Sequence, residues 1–409
     1  MASTAEKIDI QQSSPQLDSE IMIVGSGISG LYMGMRLRHK GISNFTILEA
    51  SDNLGGTWRD NTYPGIAVDI PSLSYSYTFE PNPNWSRLFT PGSEIYKYLN
   101  HCADKYRIRE HIRFNSAVEK VVFDAENAIW AVHLRNQDIL HCRYLVVATG
   151  ILNQPVIPNF KGLKEFKGRS FHTNRWQHDC DLKGKKVAII GTGASAVQVI
   201  PAIAPEVGQL DVFQRTPVWV LPRTDFKITP TVNRLFKRLP FVQWFVRQMI
   251  DLGLEIGMSA TTIYKYIPSM TALVEKQGKA YLKSQVRDPQ IREKLTPDYD
   301  FGCKRMTMSN TYLRTFNRDN VDLVTASIDR LSKKGIVTKD GQEHEYDIII
   351  FATGFKTQER GNNPSFEVYG LDNMELGKFW EENRYQAFNG ISVPKFPNLF
   401  LTFGPYSGG

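Results

Sequence analysis

Ile21-Met22-Ile23-Val24-Gly25-Ser26-Gly27-Ile28-Ser29-Gly30 decides how this chain folds. The four apolar residues at its start read as a short strand buried on both faces. The glycines follow directly. Beyond them the spacing turns helical, with Leu31, Met35 and Leu37 apolar among Arg36, Arg38 and Lys40, until Gly41 stops the helix. A second strand, residues 45–48, ends at Glu49, completing a β-α-β unit. Each glycine has a job there. Gly25 permits the tight turn, Gly27 lets a pyrophosphate reach the backbone, and Gly30 lets the helix pack on the strand. The start of the helix attracts phosphate charge, and Glu49 stands where a carboxylate can accept from a ribose diol. The unit reads as a dinucleotide site.

The pattern restarts later. Val187-Ala188-Ile189-Ile190 is a strand, Gly191-Thr192-Gly193-Ala194-Ser195-Ala196 a second glycine turn, and residues 197–203 the start of a helix. Ala196 replaces the third glycine, a permitted variant. The second strand of this unit, residues 210–213, runs into Gln214-Arg215-Thr216, with no carboxylate. An acid there would repel a 2′-phosphate, whereas Arg215 would grip it with charge-assisted hydrogen bonds. The second site is therefore expected to prefer NADPH to NADH.

The rest of the chain fills in around these units. Residues up to Leu17 read as a loosely held arm. Ser93 is placed to cap a helix with Ile95, Leu99, Cys102 and Tyr106 on one face. Residues 118–123 and 129–134 read as a hairpin. Buried strands end in Ala-Thr-Gly at 148–150 and again at 352–354, read as two crossings between domains. From about 233 to 285 the pattern is helical, aromatic and basic. The expected fold is α/β, with two Rossmann-like dinucleotide-binding domains (FAD and NADPH) and a helical insertion. The first domain takes residues 1–150 and 355–409, the second 151–224 and 300–354, and the insertion 225–299.

The 409 residues carry a net charge of +7, spread without a dense basic block, so no nucleic-acid partner is expected. The four cysteines, Cys102, Cys142, Cys180 and Cys303, form no CxxC pair. That argues against a metal site and against dithiol redox chemistry, and it suits a reducing cytoplasm. Residues 1–20 lack an apolar core, so no signal peptide is expected.

Two further stretches carry a resemblance. Residues 55–69, Gly55-Gly56-Thr57-Trp58-Arg59-Asp60-Asn61-Thr62-Tyr63-Pro64-Gly65-Ile66-Ala67-Val68-Asp69, resemble the GGxW…YPGxxxD stretch of type I Baeyer–Villiger monooxygenases. Residues 166–176, from Phe166 through His172 to Trp176, are similar to that family's FxGxxxHxxxW fingerprint. Flavin-containing monooxygenases that oxidise heteroatoms carry Tyr or Phe where Trp176 stands; Gln177 departs from the usual Pro or Asp. The resemblance runs from Ile21 to the end of the chain. It implies FAD contacts at Glu49, Gly56, Thr57, Trp58, Asp69, Tyr75 and Val118. It implies NADPH contacts at Gly191, Thr192, Gly193, Ser195, Arg215, Thr216 and Lys304. Arg305 falls on the family's catalytic arginine, with Asp69 as its partner, while His172 belongs to a linker that influences domain movement.

The implied reaction inserts one oxygen atom of O2 into a ketone, by way of a C4a-peroxyflavin, to give an ester or lactone. Oxygenation of a nitrogen or sulfur centre is the alternative, and a nucleotide-binding pseudoenzyme is another. The family continues past the glycine-proline segment at Gly404-Pro405 with more of its FAD domain, so a portion of that domain is expected to lie outside this sequence. A chain short of that portion could bind nucleotides yet leak peroxide. The insertion, with Leu235, Phe236, Leu239, Phe241, Val242, Trp244, Phe245 and Ile250 among basic residues, is expected to bury its apolar side as a lid over the substrate. Weak contact with a membrane surface is the second reading of that stretch.

Overall fold

The computed structural model describes residues 16–262, 268–357 and 363–407, with side chains throughout except at 258–262 and 268–270. Most of the expected N-terminal arm lies outside these residues. The chain divides into two compact units. Residues 1–56, 103–151 and 357–409 form the first, and residues 57–102 and 152–356 the second. The boundaries after 151 and 356 come directly after the two Ala-Thr-Gly strand ends.

The first unit is built on one eight-stranded sheet. Strand β1 (Ser19–Val24) lies between β2 (Phe45–Leu48) and β6 (Ile139–Val147), parallel to both. Outside β2 lies β3 (Ile112–Arg113). On the other side β6 pairs first with β5 (Ile129–Leu134), itself antiparallel to β4 (Val118–Asp124), as the hairpin pattern expects. The last three residues of β6 pair with the returning strand Leu399–Leu401. Alternate residues Met22, Val24, Leu145 and Val147 bury against Phe379, Trp380, Phe396 and Leu399 of the returning segment. Each such side chain contributes about 1.5–3 kcal/mol by leaving water. Helix α1 (Ile28–His39) buries Gly30, Leu31, Gly34 and Met35 on one side.

Helix α2 (Gly92–Lys105) buries Ile95, Tyr98, Leu99 and Cys102, the face its spacing implies. Residues 57–102, which the sequence reading kept with the first glycine turn, group instead with the second unit. Long-range bonds explain this. Leu88 N donates to Phe226 O at 3.0 Å, Ile228 N to Ser86 O at 2.9 Å, and Arg87 pairs with Asp225 at 2.8 Å.

The second unit has a five-stranded parallel sheet made of β7 (Arg169–His172), β8 (Lys186–Ile190), β9 (Gln209–Phe213), β10 (Val321–Val324) and β11 (Ile348–Phe351). Its spatial order is β10-β9-β8-β11-β7. Helix α3 (Ala194–Ile203) leaves the second glycine turn, with Val197, Val199, Ile200 and Ile203 buried. Four helices of the insertion follow among the described residues: α4 (Pro230–Arg238), α5 (Pro240–Thr262), α6 (Pro268–Gln285) and the short α7 (Pro289–Leu295). Here the expectation of a buried apolar stripe is reversed for α5. Gln243 is buried at 4% exposure, while Phe241, Trp244 and Phe245 stand 65%, 61% and 56% exposed. The reason is polar. Gln243 Nε2 donates to Asn82 O at 2.9 Å, and the Arg247 guanidinium donates to the carbonyls of Ser74 and Ser76 at 3.2 and 3.1 Å.

Candidate active site

The first glycine turn is shaped by two contacts that admit no side chain. Gly25 has φ +106°, and a Cβ on it would come 2.5 Å from Ala148 O. A Cβ on Gly30 would come 1.8 Å from Gly25 O. Helix α1 therefore sits directly on the end of β1. Its cap, Gly27, supplies no side chain, and its first turn holds no acid, so the positive end of the helix dipole favours an anion there. Gly27 and Gly56 face each other as bare backbone, a Cβ on Gly56 reaching 3.1 Å from Gly27 Cα. Glu49 lies beside this turn, 5% exposed. Its Oε2 accepts from Ser26 N at 3.0 Å and Ser26 Oγ at 2.6 Å, and its Oε1 from Ser51 N at 3.0 Å. A side-chain-free cradle, an uncapped helix start and a fixed carboxylate fit the pyrophosphate and ribose of FAD. Val118 packs in the core of the same unit at 8% exposure.

The remaining expected flavin contacts belong to the second unit. Thr57 opens the short helix Thr57–Asp60, and the indole of Trp58 donates to Tyr75 Oη at 3.0 Å. The two rings meet edge to face with centroids 5.4 Å apart. Burial raises the Tyr75 phenol above its usual range, so it stays a neutral hydroxyl.

The second turn repeats the geometry of the first. A Cβ on Gly191 would come 2.4 Å from Ala352 O, the alanine of the second Ala-Thr-Gly. Around Gly193 there is open space, and it caps α3 without a side chain or a nearby acid. Thr192 Oγ1 donates to Thr216 O at 3.0 Å, fixing the turn to the end of β9. Gln214 is turned away, its Nε2 donating to Lys294 O at 2.7 Å. Arg215 is exposed, and no hydrogen bond or ion pair holds it among the described residues. Lys304 is also exposed. Its Nζ lies 4.6 Å over the ring of Tyr299, whose hydroxyl donates to Pro217 O at 3.0 Å. A helix start without acids and an exposed arginine just past the strand end fit a nucleotide carrying an extra phosphate. Arg215→Ala is expected to raise the KM for NADPH about 10- to 100-fold while leaving that for NADH nearly unchanged. Steady-state kinetics with both nucleotides measure this, and equal losses would remove Arg215 from the phosphate site.

Asp69 is reached through a residue that the sequence did not single out. Gln198, on α3, donates through Nε2 to Ala67 O and to Asp69 Oδ1, both at 3.1 Å. Its Oε1 accepts from Ala67 N at 3.3 Å and from Tyr63 Oη at 3.2 Å. The loop that carries Asp69 is thus clamped to the helix that starts at the second glycine turn. Burial raises the Tyr63 phenol to about 12, against a hydrogen bond from the Ser195 side. The Asp69 carboxyl is also raised; its edge is open to solvent, but protein crowds out water on most sides, while the charges of Arg305 and Arg223 pull it down. The resemblance implies that Asp69 orients Arg305 and moderates its charge. No ion pair joins them among the described residues: Arg305 is exposed and acts on Asp69 through space.

Arg223 is the second residue that the sequence did not mark. Its guanidinium lies 5.2 Å over the ring of Phe89, and it pairs with Asp225 at 3.8 Å. With Trp58, Ile66, Ala67, Phe89 and Arg87 it lines a cavity of about 710 Å³. Apolar walls with a few charged groups are what a small organic ligand needs.

His172 is buried at 2% exposure, its Nδ1 accepting from Asn174 N at 3.1 Å. Burial pushes it down to about 4 from 6.5. The folded chain therefore binds this proton later than the unfolded chain as pH falls. Stability is fully present above pH 6.5 and drains away as pH drops towards 4. The shift is worth about 3 kcal/mol. Urea denaturation across this window should show the loss, and His172→Gln should flatten it; an unchanged slope would assign the pH dependence elsewhere.

Comparison with known proteins agrees with this geometry. The family model for pyridine nucleotide-disulphide oxidoreductase matches residues 22–243, a span holding both glycine turns. A Baeyer–Villiger monooxygenase of Pseudomonas aeruginosa is 40% identical over 95% of this chain and 73% of its own length. One of Streptomyces coelicolor is equally similar, 40% over the same shares. The chain belongs to the Baeyer–Villiger monooxygenases. A solved steroid monooxygenase bound to NADP superposes with a TM-score of 0.84 at 32% identity, covering 95% of this chain and 80% of that one. OTEMO in complex with FAD and NADP does so with 0.83 at 29% identity, over the same shares. The α/β fold with Rossmann-type nucleotide domains and the flavoprotein monooxygenase class are thereby established for this Baeyer–Villiger chain.

Proposed function

We propose that Arg305, whose charge the clamped Asp69 meets through space, is the cation that makes this FAD- and NADPH-dependent monooxygenase a ketone oxygenase. The overall change balances as ketone, O2, NADPH and a proton giving ester or lactone, NADP+ and water. Bound flavin supplies the carrier that accepts hydride from NADPH and activates O2. Arg215 and Lys304 hold the 2′-phosphate by charge, and the start of α3 takes the pyrophosphate. Arg305 keeps its positive charge at any working pH and offsets the negative charge that builds up as oxygen attacks the carbonyl. Asp69 tempers that charge through space. Trp58, Ile66 and Phe89 give an apolar substrate a place away from water. The free cysteines fit a cytoplasmic setting.

The observation that carries the reading is the link from nucleotide helix to Asp69 loop, Gln198 bonding both Ala67 and Asp69. The test supplies NADPH, ¹⁸O-labelled O2 and a set of cyclic and linear ketones, and looks for ester or lactone with one labelled oxygen. Unlabelled product, or oxygenation confined to amines and sulfides, would overturn it.

A further inference from the structure

Helix α5 wears its amphipathic character inside out. At 3.6 residues per turn, Phe241, Trp244, Phe245, Met249, Leu252 and Ile256 fall on one face. All six are half or more exposed, from 50% at Met249 to 65% at Phe241. The opposite face holds Gln243 and Arg247, whose bonds to Asn82, Ser74 and Ser76 anchor the helix to the unit. This arrangement is therefore fixed by specific polar contacts. Helix α4, which leads into α5 through Leu239, exposes Arg234, Lys237 and Arg238, and no ion pair neutralises them among the described residues. Leu235 and Leu239, 42% and 41% exposed, add apolar surface among these cations along the chain.

We infer that α4 and α5 form a docking face for the surface of an anionic lipid bilayer. Aromatic and aliphatic side chains enter the boundary between headgroups and acyl chains, and the arginines and lysine meet the negative surface. Charge decides between this and a second copy of the chain. Pairing two such faces would bring two cationic collars together in a protein already at +7, whereas an anionic bilayer complements them. Docking would also bring the enzyme to the phase where apolar ketones gather.

Cosedimentation with vesicles tests this. The intact protein is mixed with vesicles of phosphatidylcholine alone, or with about 30% phosphatidylserine. The expected result is binding to the anionic vesicles, weakened by salt. A double variant, Trp244→Ser with Phe245→Ser, should bind about tenfold or more weakly, and so should the triple variant Arg234→Glu, Lys237→Glu, Arg238→Glu. Circular dichroism checks that both variants are folded, and ester formation from a water-soluble ketone should be unaffected in both. No binding to anionic vesicles, or binding indifferent to both variants, overturns the inference. So does a dimer in sedimentation velocity that Trp244→Ser with Phe245→Ser dissolves, which would give the face to a second copy. None of these outcomes touches the oxygenase reading, which rests on product analysis.

Discussion

Arg305→Ala lowers ester formation about a thousandfold and leaves bound flavin unchanged; that is the expected result. The residue is exposed and holds no hydrogen bond or ion pair among the described residues, so its loss removes no packing. What disappears is the positive charge proposed to offset the negative charge that builds up at the reacting carbonyl. NADPH oxidation should continue, now releasing hydrogen peroxide, because the nucleotide turns are untouched. Two measurements separate this from a structural effect. Arg305→Lys should restore part of the ester yield, since it keeps the charge though not the planar fork. With the guanidinium gone, the Asp69 carboxyl should titrate still higher, because one of the two charges holding it down is absent. Undiminished ester formation in Arg305→Ala would remove Arg305 from the chemistry.

Gly30→Ala should yield protein without flavin. The new methyl group would lie 1.8 Å from Gly25 O, a backbone atom that cannot step aside. Helix α1 would have to lift off β1, opening the cradle formed with Gly27 and Gly56. Overpacking of this kind costs about 1–3 kcal/mol, and here it is added to the loss of the cofactor's own stabilisation. The flavin-to-protein absorbance ratio and the melting temperature report both. The second turn provides an internal control. Ala196 already carries a methyl group at the matching position and is fully buried. Ala196→Gly should therefore cost only about 1 kcal/mol, through helix propensity, and keep NADPH binding. Flavin retained at full stoichiometry in Gly30→Ala would show that the helix can stand off without harm.

These residues were legible in the sequence because their constraints are local. A glycine that must turn and the carboxylate or arginine at the end of the following strand are 24 positions apart in both units, Gly25 to Glu49 and Gly191 to Arg215, within a single β-α-β stretch. The hairpin of β4 and β5 was legible for the same reason. Gln198 was not, since a glutamine on a helix carries no signal until residues 63–69 fold back over it. The grouping of residues 57–102 with the second unit depends on bonds such as Leu88 to Phe226, more than a hundred positions away. Helix α5 exposes another limit. Periodicity finds an apolar face but does not say which way that face looks, and Gln243 and Arg247 decide it through partners far away in sequence.

The clamp made by Gln198 bears on efforts to swap this enzyme's electron donor. Cofactor preference is usually redesigned by exchanging the glycine turn and its helix as one cassette. Here that cassette carries the only side chain that satisfies both the amide and the carbonyl of Ala67, among the described residues, and it also bonds Asp69. A graft lacking a glutamine at 198 would import a new nucleotide preference and release the loop that carries Asp69. Donor choice and oxygen transfer are inherited together, so a designer should change the end of β9 at Arg215 and keep the helix.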